Sequence, residues 1–236
     1  MTSLQPARQQ LYSFRRCPYA MRARMAILYS QIKVELREVV LKDKPSAMLE
    51  ASSKATVPVL VLTDATVIDE SLEIMRWSLN QHDPDDWLLS NAHSTDIHGT
   101  ILHKCITQNT DEQNNINALI RQNDNIFKIH LDHYKYSERF PEHSILYYRQ
   151  KAELFLQQLE HLLQQNIFLF GKTACLADIA IFPFIRQFAY VDIKWFDNSP
   201  YPKLVKWLHY WLECELFSVS MKKYPQWKEQ QSPIIF

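Results

Sequence analysis

The chain is 236 residues long, 47% apolar and 22% charged, and its 26 lysines and arginines balance 26 aspartates and glutamates. That length buries one large core or two small ones, and zero net charge leaves no electrostatic case for nucleic acid or an anionic membrane surface. No apolar run approaches the roughly 20 residues that cross a bilayer, and the opening "MTSLQPARQQ" lacks the apolar segment of a secretory signal.

The four cysteines, Cys17, Cys105, Cys175 and Cys214, form no CxxC and no metal-ligand spacing. This is the pattern of thiols in a reducing cytoplasm. Glycine occurs only at 99 and 171, which excludes a glycine-rich phosphate loop and argues against an all-β fold full of tight turns.

In chain order, "QLYSF" (10–14) predicts a short strand, and Pro18 opens a helix whose apolar face is Met21, Met25, Leu28, Tyr29 and Ile32. Arg22 and Arg24 fall mostly off that face. "KVELREVVL" (33–41) alternates as a second strand, "KPSAMLEASSK" reads as a short helix or turn, and "VPVLVLT" (57–63) as a buried strand entered through a proline. "DATVIDE" holds a turn and a last short strand, and Ser71 starts a helix marked by Leu72, Met75 and Leu79. The order β-α-β-α-β-β-α implies a parallel pair joined by a crossover helix, then a hairpin.

"NQHDPDDW" (80–87) is polar and acidic and reads as the start of a linker. Strand signals then almost vanish. Tyr148, Ala152, Phe155, Leu159 and Leu162 form one helical stripe, and Leu204, Trp207, Leu208 and Trp211 another. "CLADIAIFPFIRQFA" is apolar nearly all round, as a central buried helix would be, while 110–144 carries a helix and a long excursion whose division the pattern does not settle. The architecture is therefore a small α/β domain over 1–82, a linker over 83–94 and an all-helical domain over 95–236.

Cys17 stands at the start of the helix that Pro18 opens. Unpaired N–H groups and the helix dipole stabilise a thiolate there, and Arg15, Arg16 and Arg22 add to the field, so a lowered thiol pKa is expected. The plainer reading is a small apolar residue at a strand–helix junction. With Ala20 where a dithiol motif needs its second cysteine, any disulfide at Cys17 must be resolved by an external thiol. In "TVPVL", a cis Pro58 would let the Val57 backbone pair with an extended peptide-like ligand, whereas a trans proline would only start an edge strand. In "DESLEIMRW", Glu70 and Ser71 offer an ammonium acceptor and a carboxylate donor, or else simply a helix cap from Ser71 or Asp69.

Together these motifs resemble the cytosolic glutathione S-transferase superfamily, in particular its cysteine-type, omega-like branch. "FRRCPYAMRARMAI" resembles the cysteine-proline-aromatic segment, "LKDKPSAMLEASSKATVPVL" the stretch from a lysine-proline pair to the cis-proline, and "DESLEIMRW" the glutamate-serine motif. "CLADIAIFPFIRQF" is similar to the buried helix of the second domain, so the resemblance spans nearly the whole chain. It implies a thioredoxin-like α/β domain followed by an all-α domain, with glutathione as cosubstrate and no metal. It implies Cys17 as catalytic thiol, Tyr19 beside the ligand, Lys44 on the glycine carboxylate and Val57 pairing ahead of a cis Pro58. Glu70 and Ser71 would hold the γ-glutamyl amine and carboxylate. The implied activity is thiol transfer, deglutathionylation or dehydroascorbate reduction on a small electrophile or disulfide, by a cytoplasmic homodimer binding neither nucleic acid nor membrane.

Three positions depart from the family pattern. "SSKAT" (52–56) replaces an asparagine-proline-x-glycine turn, Arg16 replaces an aromatic residue, and Cys175 replaces a serine or threonine helix cap. The scatter of His98, His103 and Cys105, and the pair His130 and His133, do not have metal-site spacing and read as structural or surface residues. The aromatic cluster over 190–211 reads as core, with part of it lining an acceptor pocket between the domains. The apolar tail "SPIIF" is expected to dock across a groove or at a subunit interface. The competing function is a non-catalytic binding or regulatory module on the same fold.

Overall fold

The computed structural model describes residues 8–89, 103–229 and 231–236, with the side chains of 103–109 outside that description. The chain forms two compact units, Met1–Asp83 with Cys214–Phe236, and Pro84–Glu213.

The first unit runs β1 (Gln10–Ser13), α1 (Pro18–Tyr29), β2 (Glu35–Glu38), α2 (Ser46–Ala51), β3 (Val59–Val61), β4 (Val67–Ile68) and α3 (Ser71–Gln81), the order expected from the sequence. With β5 (Ile234–Ile235), its five-stranded sheet has the order β4-β3-β1-β2-β5. β1 and β2 are parallel, and β3 and β4 are antiparallel additions. The register lines up Ile68, Leu60, Leu11, Leu36 and Ile234 in one row. Because strand side chains alternate faces, that row packs with Ala23, Ile27 and Ile74, from α1 and α3. The other face carries Tyr12 and Val59, packed with Val39, Met48 and Val57.

The fifth strand comes from far along the chain. β5 (Ile234–Ile235) pairs antiparallel with β2, and Phe236 exchanges backbone hydrogen bonds with Val34 at 3.0 and 3.2 Å. Phe236 is buried in the first unit's core. The sequence reading carried 95–236 as one helical domain. The contacts instead assign Cys214–Phe236 to the α/β unit, because the tail supplies both an edge strand and a core ring.

The two arginines of α1 also depart from the sequence reading. Arg22 is 2% exposed and Arg24 0%. The helix packs against α3 and also against α10 (Glu215–Ser220), so positions off the apolar stripe are covered as well. Each buried guanidinium has polar partners, as burial requires.

The second unit is helical: α4 (His103–Gln122), α5 (Lys128–Lys135), α6 (Ile145–Gln165), α7 (Leu176–Ala189), α8 (Ile193–Asp197) and α9 (Pro202–Glu213). A π-helical turn, Asn123–Phe127, joins α4 to α5, and a 3-10 turn, Ser137–Arg139, follows, which resolves the segment 110–144. In α7, Asp178 is fully buried and accepts from the Leu169 N–H (3.1 Å), the Cys175 N–H (3.0 Å) and Trp207 Nε1 (2.8 Å). Those donors lie on the preceding loop, the cap and α9, so one carboxylate fixes three segments. At the cap, where Cys175 replaces the family's serine or threonine, the Cys175 thiol donates to Asp178 Oδ2 at 3.4 Å. Glu160 similarly caps α9 through the N–H groups of Lys203 (3.3 Å) and Leu204 (2.8 Å). Among the described residues, no helix is long and apolar enough to cross a membrane.

Candidate functional site

Phe14 to Cys17 form a turn closed by a 3.0 Å bond from the Cys17 N–H to the Phe14 carbonyl. Cys17 is extended (φ −78°, ψ 124°) and is the N-cap residue of α1, with Pro18 at the first helical position and no acidic residue in the first turn. Its carbonyl accepts from Met21 N–H at 2.9 Å, the helix's opening bond. The half-buried sulfur thus lies at the positive end of the helix dipole. It packs against the buried cluster of Tyr12, Val39, Met48, Val57 and Val59. Its thiol donates to the Val57 carbonyl at 3.7 Å.

The Val57–Pro58 peptide bond is cis. The Val57 carbonyl faces the sulfur, and among the described residues the Val57 N–H has no hydrogen-bond acceptor. The turn leading to it, which departs from the family pattern, bends at Ala55 with φ 53°, a left-handed conformation glycine takes more easily. Ala55 N–H donates to Ser52 O at 3.1 Å, which closes that turn.

Ser71 is buried at the first residue of α3, and Glu70 is the N-cap residue, without a capping bond from its side chain. Neither Ser71 nor Asp69 caps the helix. Arg22 Nε donates to Ser71 Oγ at 3.0 Å while its guanidinium lies 5.1 Å from the Tyr19 ring centre. Glu70 is reached by Lys54 Nζ at 2.5 Å, and the same ammonium is 2.9 Å from Asp69. Ser52 Oγ donates to Asp69 at 2.7 Å. Hydrogen bonds from Ser52 and Lys54 lower the Asp69 pKa, and bonds to Glu70 and Asp69 raise that of Lys54. Lys44 is half-buried, and among the described residues its side chain makes no hydrogen bond or ion pair.

The structure therefore places Cys17 against Val57, and Tyr19 near Ser71 through Arg22. Sequence reasoning missed Arg22 as a donor to Ser71, and Lys54 as the cation on Glu70. Arg22 is invisible to periodicity because α1 is covered on more than one side. Lys54 had a usable signal: a lysine in a turn that must approach the acidic pair Asp69 and Glu70 once β3 and β4 form a hairpin.

In the second unit, His130 and His133 lie on α5. Burial, then His133 and Lys151, lower the His130 pKa. Among the described residues, no group of three or more His, Cys, Asp or Glu side chains is placed to hold a metal. His98 and the side chains of His103 and Cys105 lie outside the described residues. Of the late aromatic cluster, Phe196, Tyr201, Trp207 and Trp211 are core, whereas Tyr190 and Tyr210 are exposed. Tyr210 and Trp207 join Phe168, Lys203 and Lys206 around a cavity of about 190 Å³.

Two family models match the chain: the glutathione S-transferase N-terminal domain over residues 11–86 and the glutathione S-transferase C-terminal domain over 131–209. Among solved structures, a ternary complex of BphK, a bacterial glutathione S-transferase, is 20% identical with TM-score 0.69, covering 90% of this chain and 97% of that one. A glutathione S-transferase from Methylobacillus flagellatus with glutathione bound is 19% identical with TM-score 0.66, covering 90% and 98%. One from the Antarctic clam Laternula elliptica is 15% identical with TM-score 0.73, covering 91% and 92%. At these identities the likeness is one of fold. A search of curated proteins found no match.

Proposed function

The chain belongs to the glutathione S-transferase superfamily, and from that premise we propose that it is a glutathione-dependent thiol transferase of the cysteine type. The observation that carries this reading is the half-buried Cys17 sulfur at a helix N-terminus, 3.7 Å from the carbonyl of a residue whose own N–H has no acceptor among the described residues. The glutathione-bound bacterial neighbour supports the choice of cosubstrate.

Glutathione lies extended along Val57, its cysteinyl carbonyl accepting the Val57 N–H as an added strand would. Tyr19 flanks it, and Lys44 takes the glycine carboxylate. Ser71 takes the γ-glutamyl carboxylate and Glu70 the ammonium. The Cys17 thiolate attacks the glutathionyl sulfur of a mixed disulfide, whose S–S bond breaks. The electron pair leaves on the substrate thiolate, which takes a proton from water. A second glutathione thiolate then attacks the Cys17 adduct, forming glutathione disulfide and restoring the Cys17 thiolate. Ala20 leaves no neighbouring thiol to intercept the adduct, so the external thiol is required. Dehydroascorbate enters differently: the Cys17 thiolate adds to its carbonyl carbon and the oxygen takes a proton, one glutathione thiolate attacks the Cys17 sulfur so that the C–S bond breaks and ascorbate leaves, and a second releases Cys17 as glutathione disulfide forms. A cytoplasmic homodimer belongs to this reading, and light scattering on the purified protein measures its mass.

The test is glutathione-dependent reduction of a small mixed disulfide by wild type and Cys17→Ser. Activity confined to wild type is expected. Equal activity, or none in either, overturns the proposal.

One observation favours a second reading, a binding module without turnover. Lys54 lies on Glu70 and Arg22 on Ser71, so the proposed clamp is satisfied internally. On that reading glutathione does not bind, and calorimetric titration with glutathione separates the two.

A further inference from the structure

A buried carboxylate lies against the turn that carries Cys17. Glu38, the last residue of β2, is 8% exposed. Its Oε1 accepts the Arg15 N–H at 2.8 Å, and its Oε2 is paired with Arg24 Nη2. Arg24 in turn donates from Nε to Ser13 Oγ at 2.8 Å and from Nη1 to the Ser220 carbonyl at 3.3 Å, with its guanidinium 5.6 Å from the Phe236 ring centre. The Glu38 carbonyl accepts the Trp227 N–H at 2.8 Å, and Arg15 Nη1 reaches the Met221 carbonyl at 3.4 Å. The ends of β1 and β2, α1, α10 and the tail thus meet at one ion pair.

Such a pair is a poor stability device, since well-packed apolar residues in its place are often as stable. What it supplies is an acceptor fixed in position. Arg15 is the second residue of the Phe14–Cys17 turn, whose closing bond does not use the Arg15 N–H, so that N–H is met from outside the turn, by Glu38. We propose that Glu38 is a positioning residue for Cys17: by holding the Arg15 N–H it fixes the tilt of the turn, and hence the place of the sulfur relative to Val57. Arg24 and the segment 214–236 hold Glu38. Glu38 itself touches no substrate. This inference rests on the reading of Cys17 as the reacting thiol.

Arg15→Pro and Arg15→Ala form the central experiment. Both remove the guanidinium, but only proline removes the N–H, and proline suits the second position of a turn. The alanine variant is the reference. In disulfide reduction, Arg15→Pro should lower kcat about tenfold below Arg15→Ala with KM for glutathione unchanged, the pattern of a misplaced reacting group. Equal kcat in the two variants overturns the proposal. The paired change Glu38→Met with Arg24→Met removes the acceptor without stranding a buried charge. It should lower kcat similarly while thermal melting shows a folded protein, and wild-type kcat there also overturns the proposal. Alkylation of Cys17 by iodoacetamide needs no glutathione. It should slow by about fivefold from Arg15→Ala to Arg15→Pro, because the thiol loses its alignment with the helix end. If wild type reduces no disulfide, the thiol-transferase reading fails, and the alkylation ratio decides the role of Glu38 alone: a slower proline variant upholds it and equal rates reject it.

Discussion

Cys17 and Cys175 each stand immediately before a helix, and the two thiols meet opposite surroundings. Cys17 is half-buried, is followed by proline, has no acid in the first helical turn and faces a backbone carbonyl. Cys175 is 3% exposed, and Asp178, three residues on, accepts hydrogen bonds from its N–H and its thiol. Burial and then the charge of Asp178 push the Cys175 thiol well above its usual pKa. A helix N-terminus favours an anion, but it does not by itself make a nucleophile. An acid in the first turn claims that position, and burial denies a reagent access. The sequences "CPYA" and "CLAD" already differ in the first of these, the acid at the third helical position.

The largest effect that sharpens the contrast is on turnover. Cys17→Ser should lower glutathione-dependent disulfide reduction at least about a thousandfold, whereas Cys175→Ser, which installs a better-capping hydroxyl, should leave it unchanged. Steady-state assays of both variants check this, and comparable losses would erase the distinction. Next is the acid that sets Cys175 apart. Asp178→Ala leaves the N–H groups of Leu169 and Cys175 and the Trp207 indole without their acceptor. Urea unfolding should show a loss of about 4 kcal/mol, and a loss below about 1 kcal/mol contradicts the structural role given to this cap.

The surroundings of Cys17 depend on a distant segment, and a chain ending at Ser232 tests that dependence. It removes β5 and the buried Phe236 ring, and the same unfolding measurement should show a loss of about 3 kcal/mol. Unchanged stability would mean that the tail only rests on the sheet. The smallest effect is a gain. Ala55 sits at φ 53° in the turn before Val57, so Ala55→Gly should raise stability by about 0.5 kcal/mol, with relief of the left-handed strain outweighing glycine's extra chain entropy.

The strands and helices of the first 81 residues are legible in the sequence because each carries its own period and its own punctuation. The five-residue aliphatic row shows why: Leu11, Leu36 and Leu60 sit at alternating positions in three separate runs. What the sequence leaves dark depends on contacts between distant segments. "SPIIF" reads as apolar, but nothing local says that Ile234 will lie opposite Leu36. Arg24 looks like a solvent-facing residue until α10 and Phe236 cover it. Of the candidate site, Cys17 and Val57 are brought together as their motifs suggest, and Val57–Pro58 is cis. The pairing of Glu70 with Lys54 is readable once the β3–β4 hairpin is foreseen, whereas that of Ser71 with Arg22 follows from side-chain reach between two helices, which spacing alone does not encode. Glycine scarcity argues correctly against an all-β fold but does not say which residues take the turns: Gln31, Ala55, Ala65, Asp86 and Leu89 stand at positive φ.

The most direct measurement is the rate at which each thiol of the native protein reacts with iodoacetamide at about pH 6 and about pH 8, read peptide by peptide, with and without glutathione. The account predicts that Cys17 is modified readily at the lower pH and protected by glutathione, while Cys175 stays unmodified at both. Cys17 reacting as slowly as Cys175, or at a rate glutathione does not change, would contradict it.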